Sequence, residues 1–116
     1  MQIKDFKKGQ TAYVLNLHKG RNTEPTIHET TVKSVGRTYV TTERGTRYRS
    51  SDDAYSLDEA PDRNGYQRHT NLYPTRDAAD AIIEREALRI WFMRAGSHAH
   101  EYSLEQLREV KRILEG

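Results

Sequence analysis

Between Thr26 and Ser51 the chain reads TIHETTVKSV, then Gly36-Arg37, then TYVTTE, then Arg44-Gly45, then TRYRSS. Three short β-favouring runs separated by two-residue junctions leave room only for tight hairpins, which predicts a three-strand meander from about Ile27 to Ser51. The first run alternates Ile27, Glu29, Thr31, Lys33 and Val35 against Thr26, His28, Thr30, Val32 and Ser34. Threonine and valine at this spacing suit a pleated, half-buried surface.

Upstream, GQTAYVLNLH supplies a further strand, followed by a loop at Gly20, Asn22 and Pro25. Downstream, SDDAYSLDEAPDRNG carries five acids, a proline and an Asn-Gly. It reads as a surface excursion with a short turn of helix around Leu57. YQRHTNLY then returns as a fifth strand. Five short, evenly spaced strands are too few for a sandwich and suit a small closed barrel over residues 1–73.

The periodicity changes after Pro74. Thr75 is placed as an N-cap with Asp77 in the first turn, and the helix from Arg76 to about Arg94 sets Ala79, Ile82, Ile83, Ala87, Ile90 and Trp91 along one broad face expected against the barrel. Gly96 is expected to end it in a left-handed cap. Ser103 with Gln106 forms a capping box for a second helix, whose Leu104, Leu107, Val110 and Leu114 share a stripe. The two helices, residues 74–116, are expected to flank or plug a barrel opening and share its core, giving a single α+β domain over 1–116. Leu88 and Phe92, with Ala81 and Ala95, form a second apolar face; the C-terminal helix is its expected cover and self-association the alternative, so the chain is a monomer or a homodimer.

Charge is unevenly placed. Residues 1–49 hold 10 Lys/Arg against 4 Asp/Glu, or +6, whereas residues 50–116 hold 9 against 13, or −4. The basic half includes Lys7, Lys8, Lys19 and Arg21. Lys33, Arg37, Tyr39, Arg44, Arg47, Tyr48 and Arg49 form the principal candidate interface, because guanidinium forks pair phosphates or carboxylates and tyrosine rings offer stacking surfaces. Strand alternation sends Arg47 and Arg49 to one face and Tyr48 to the other. A solvated edge guarded by charges explains the same residues more plainly. Asp52, Asp53, Asp58, Glu59 and Asp62 are a secondary interface candidate, through mimicry of nucleic-acid phosphates. Carboxylates in consecutive loop positions do not converge as a magnesium site must.

Chemistry has little to start from. With no cysteine there is no disulfide framework or thiolate nucleophile. His98, His100 and Glu101 have none of the standard zinc spacings, so no metal or cofactor is expected. His28 and His69 could approach across the barrel as a catalytic pair, but no G-x-S-x-G, H-E-x-x-H or P-loop accompanies them, and no enzyme is expected. No stretch of about 18 apolar residues and no signal-like N-terminus is present, which leads to the expectation of a cytoplasmic protein without membrane contact.

Three stretches, DFKKGQTAYVL, TVKSVGRTYVTTERGTRYR and LYPTRDAADAIIEREAL, together resemble small SH3-like barrel proteins encoded by phages and other mobile elements of Gram-positive bacteria. The resemblance runs through the barrel and the first helix, and its motifs are structural. It implies that the five-stranded barrel is SH3-like, and with the periodicity of the two amphipathic helices behind it gives the expected α+β fold. It also implies a mobile-element accessory role, since such proteins include inhibitors of host defence, anti-CRISPR proteins among them; no site residue is carried over. Two readings of function follow. The first is a non-catalytic inhibitor that occludes a host or phage protein, including a nucleoprotein complex; the second is a module that binds nucleic acid directly through the basic face.

Overall fold

The computed structural model describes residues 1–17 and 24–116. Lys19 and Arg21, and the loop expected at Gly20 and Asn22, lie outside the described residues. The chain divides into two compact units, Met1–Ile83 and Glu84–Gly116.

The first unit is a closed six-stranded antiparallel barrel in sequential order. Its strands are β1 (Thr11–Asn16), β2 (Thr26–Val35), β3 (Val40–Thr42), β4 (Arg47–Arg49), β5 (Leu57–Glu59) and β6 (Asn71–Tyr73). The long strand β2 serves two neighbours: Thr26 to Thr31 pair with β1, and Val32 to Val35 pair with β3 across a register shift at Lys33. Such an irregularity bends a strand and sharpens its twist, which a barrel of short strands needs in order to close. Closure is made by β1 against β6, with Val14 opposite Leu72.

Alternation fills the inside. Ala12, Val14, Val32, Val40, Tyr48, Leu57 and Leu72 meet within the barrel, joined by Ile3 and Phe6 from the segment preceding β1. A second apolar cluster lies on the opposite side of the wall. There Leu15 and Tyr73 pack with Tyr13, Leu17 and Ile27 against Ala78, Ala79, Ile82 and Ile83 of the first helix, α1 (Arg76–Ser97). The opening turns of α1 therefore cover the outer wall around β1 and β6.

The sixth strand corrects the expectation of five. Leu57–Glu59, assigned to a surface excursion with a helical turn, instead bridges β4 and β6 through Tyr48 opposite Glu59 and Leu57 opposite Leu72. Asp and Glu are poor strand formers, but a fully buried Leu57 contributes about 1.5–3 kcal/mol, enough for packing to override local preference. The returning segment is correspondingly shorter than read, with only Asn71–Tyr73 in the sheet.

The junction at Arg44-Gly45 forms as a tight turn. The Gly45 amide donates to the Thr42 carbonyl at 2.9 Å, and Gly45 takes a φ of 84°, a conformation that a side chain would strain.

At the start of α1 the Thr75 hydroxyl accepts from the Ala78 amide at 3.2 Å, the cap expected there. Gly96 does not end the helix. It lies within α1 without a positive φ, and the backbone turns beyond Ser97 through a 3-10 segment at Ala99–Glu101. The second unit continues with α2 (Leu104–Glu115), whose capping box is in place: the Ser103 hydroxyl accepts from the Gln106 amide at 3.1 Å, and the Gln106 side chain accepts from the Ser103 amide at 2.9 Å. No residue of this second unit is buried. Trp91, expected on the barrel-facing stripe, is 63% exposed.

Candidate interface on the barrel

Tyr48 splits the strand that carries the basic candidates. Because it points inward and is 1% exposed, Arg47 and Arg49 emerge together on the outer face of β4, as alternation requires. Tyr48 itself is no part of that surface: its ring belongs to the core, and its hydroxyl shares a 2.9 Å hydrogen bond with the Thr70 hydroxyl.

Arg47 is held rather than free. Its guanidinium carbon lies 4.5 Å from the centroid of the Tyr39 ring, and a terminal nitrogen donates to the Pro61 carbonyl at 3.2 Å. Stacking on an aromatic face fixes the fork in one plane and leaves other N–H groups available to an acceptor. The cross-strand neighbours on this face are Thr41 opposite Arg47, Asp58 opposite Arg49, and Asn71 opposite Asp58.

The remaining candidates do not complete a single patch. Arg37 is exposed in the β2–β3 turn, whereas Arg44 is exposed in the β3–β4 turn, so the two flank β3 at opposite ends. Lys33 is exposed at the irregularity in β2. Tyr39, Arg47 and Arg49 are thus the part of the set that the fold gathers.

Arg44 acts on a different neighbour. Burial first, and the positive charge of Arg44 second, hold the His28 imidazole below its ordinary value of 6.5. His28 lies level with Leu72 across β1, and His69 precedes β6 three residues before Leu72. Strand pairing thus leaves β1 between His28 and the strand that follows His69. His69 also has a φ of 60°.

The acidic candidates organise the chain around β5. Asp53 accepts from the Tyr55 amide at 2.8 Å, and Asp62 accepts from the Asn64 and Tyr66 amides at 2.8 and 2.9 Å, each closing its own turn. Asp58 accepts from the Asn71 side chain at 2.9 Å. Glu59 is buried, its oxygens taken by the Thr70 hydroxyl at 2.5 Å and the Arg68 amide at 2.6 Å. Glu59 is therefore structural, and the expected solvated acidic loop reduces to exposed Asp52, Asp53 and Asp62 around a partly covered Asp58.

This network explains Tyr48 as well. Burial raises its phenol to about 12, with the nearby Glu59 carboxylate adding to the shift and the Thr70 hydrogen bond opposing it. Burial likewise raises the Tyr73 phenol. Sequence reasoning missed Thr41, Pro61, Asn71 and Thr70; the last three became visible only with β5, which positions them.

In the second unit His98 and His100 approach the Glu101 carboxylate at 3.7 and 4.0 Å. Among the described residues no three His, Asp or Glu side chains converge as a metal site, and no helix is long and apolar enough to cross a membrane.

No curated protein and no solved structure matches the chain. The family model described as the phage ProQ C-terminal-like domain does, over residues 1–116. A match along the full length, on a small barrel followed by two helices, places this chain in the phage ProQ C-terminal-like domain family.

Proposed function

We propose that this phage-family domain is a non-catalytic accessory protein that occludes an acidic surface on a host or phage protein, in the manner of an anti-CRISPR-like inhibitor, with Arg47, Tyr39 and Arg49 as its contact. The observation that carries this reading is the stacked Arg47 fork, fixed by Tyr39 and the Pro61 carbonyl beside an exposed Arg49. A guanidinium already held in place loses little side-chain freedom on binding, so more of each charge-assisted hydrogen bond appears as affinity.

Arg49→Glu combined with Arg47→Lys tests it. The first reverses a charge; the second keeps a charge and loses the planar fork. Partner capture from phage-infected cells falls at least about tenfold for the pair, the loss expected of a contact worth about 1.4 kcal/mol or more. Unchanged capture by the folded double variant rules out this face. The same arginine–tyrosine surface also favours direct binding to nucleic acid, and salt separates the two readings. Retention of single-stranded DNA or RNA that collapses steeply between about 50 and 200 mM salt identifies a phosphate-binding module instead.

A further inference from the structure

Apolar surface is concentrated in the second unit. Of the fourteen exposed large hydrophobic residues among those described, eleven lie between Leu88 and Leu114. Chains below roughly 40 residues usually need a disulfide, a metal or association to hold a fold, and Glu84–Gly116 falls below that size. It has no cysteine and no converging metal ligands. With neither cross-link present, burying its apolar surface against further protein is a way to strengthen it.

The unit has the shape for it. α2 approaches the Phe92 and Ala95 side of α1, as expected for a C-terminal cover, but the cover is incomplete. A groove of about 430 Å³ stays open between Trp91, Phe92, Ala95, Tyr102, Leu107 and Val110. On the same helix, Leu104, Ile113 and Leu114 project into solvent at 63–65% exposure. One unit therefore presents both a receptacle and the side chains to fill one, which is the requirement for a two-fold interface. Two such units packed face to face bring four helices together.

We infer that this helical unit is a self-association surface, its groove occupied by α2 of a second copy of the chain. Taken all round the two helices, the eleven half-exposed side chains leave on the order of 1,000 Å² open, so a contact covering most of them reaches the roughly 800 Å² that each partner gives to an ordinary stable interface. Charge agrees with a second copy rather than with a strongly charged partner. Residues 84–116 hold six Glu and six Lys/Arg, so identical units meet without net repulsion. Three charged pairs on α1 and α2 are made along their own helices, Arg89 with Glu86, Lys111 with Glu115 and Arg112 with Glu109.

Sedimentation of the full chain over about 1–100 µM tests the inference, with two copies of 13.5 kDa expected within that range. Leu107→Glu with Val110→Glu converts it to a single copy throughout, a weakening of at least about 100-fold. Trp91→Ala, at a side chain 63% exposed, weakens association about tenfold without burdening the fold. A nitroxide on Glu105→Cys, in a chain with no other cysteine, gives one intermolecular distance that disappears in the double-Glu variant. A single copy across the range overturns the inference and assigns the groove to a different protein. Two copies persisting in the double-Glu variant, with the barrel intact by near-UV circular dichroism, overturn it by locating the contact elsewhere.

Discussion

Tyr48 closes a short chain of hydrogen bonds through the Thr70 hydroxyl to the Glu59 carboxylate, and it does so inside the barrel. Its phenol titrates near 10.0 when unfolded and is raised to about 12 in the fold, so the native state keeps a proton that the unfolded state loses. Stability from this group is complete below pH 10 and declines as pH rises toward 12. Tyr48→Phe removes that decline and costs about 1 kcal/mol at neutral pH, the usual worth of a hydrogen bond. Urea melts of the two proteins at pH 7 and at pH 11 check both expectations. The side chain also shows what a pattern of residue types can and cannot say. Alternation alone turned Tyr48 away from Arg47 and Arg49, but grouping it with them as a contact treated composition as if it were placement.

Glycines show how far single elements could be read in advance. Gly45 sits at φ 84° in the β3–β4 turn, whereas Gly96 lies in α1 with open space where a Cβ would go. Gly45→Ala should cost about 1 kcal/mol or more, and Gly96→Ala should add about 0.5–1 kcal/mol. Chemical denaturation at one fixed protein concentration checks both. A left-handed cap at Gly96 would have reversed the second sign. The meander, the Thr75 cap and the Ser103–Gln106 box were legible because their determinants lie within a few residues of one another. β5 was not, because Leu57–Glu59 becomes a strand only through partners at Tyr48 and Leu72, and local sequence carries no trace of either. The stacked Arg47 was half legible: its outward direction followed from strand period, while Pro61 as its acceptor depended on the same unseen strand.

At the scale of the whole molecule, the two units answer to different stabilising terms. The barrel has its own interior, while the helical unit has no buried residue and, as a self-association surface, completes its core only in the pair. Mass action then makes the helical transition depend on protein concentration, and leaves the barrel transition unaffected. Thermal melts followed at 222 nm and by near-UV dichroism over about a 100-fold range of concentration check this: each tenfold dilution weakens the pair by about 1.4 kcal/mol. Coincident transitions that ignore dilution would count against it.

The seam where β1 meets β6 sets Val14 against Leu72, near the two ends of the barrel segment, so the ring shuts only after nearly all of that segment is available. Contacts so distant along the chain must overcome loop closure before they return any energy, which places folding in the slower, roughly millisecond-to-second class. During synthesis, an unfinished barrel would expose Val14 and its neighbours until Leu72 arrives, and the opening turns of α1, which seal the outer wall, emerge directly after it. Order of emergence thus places the clasp and its cover next to each other in time.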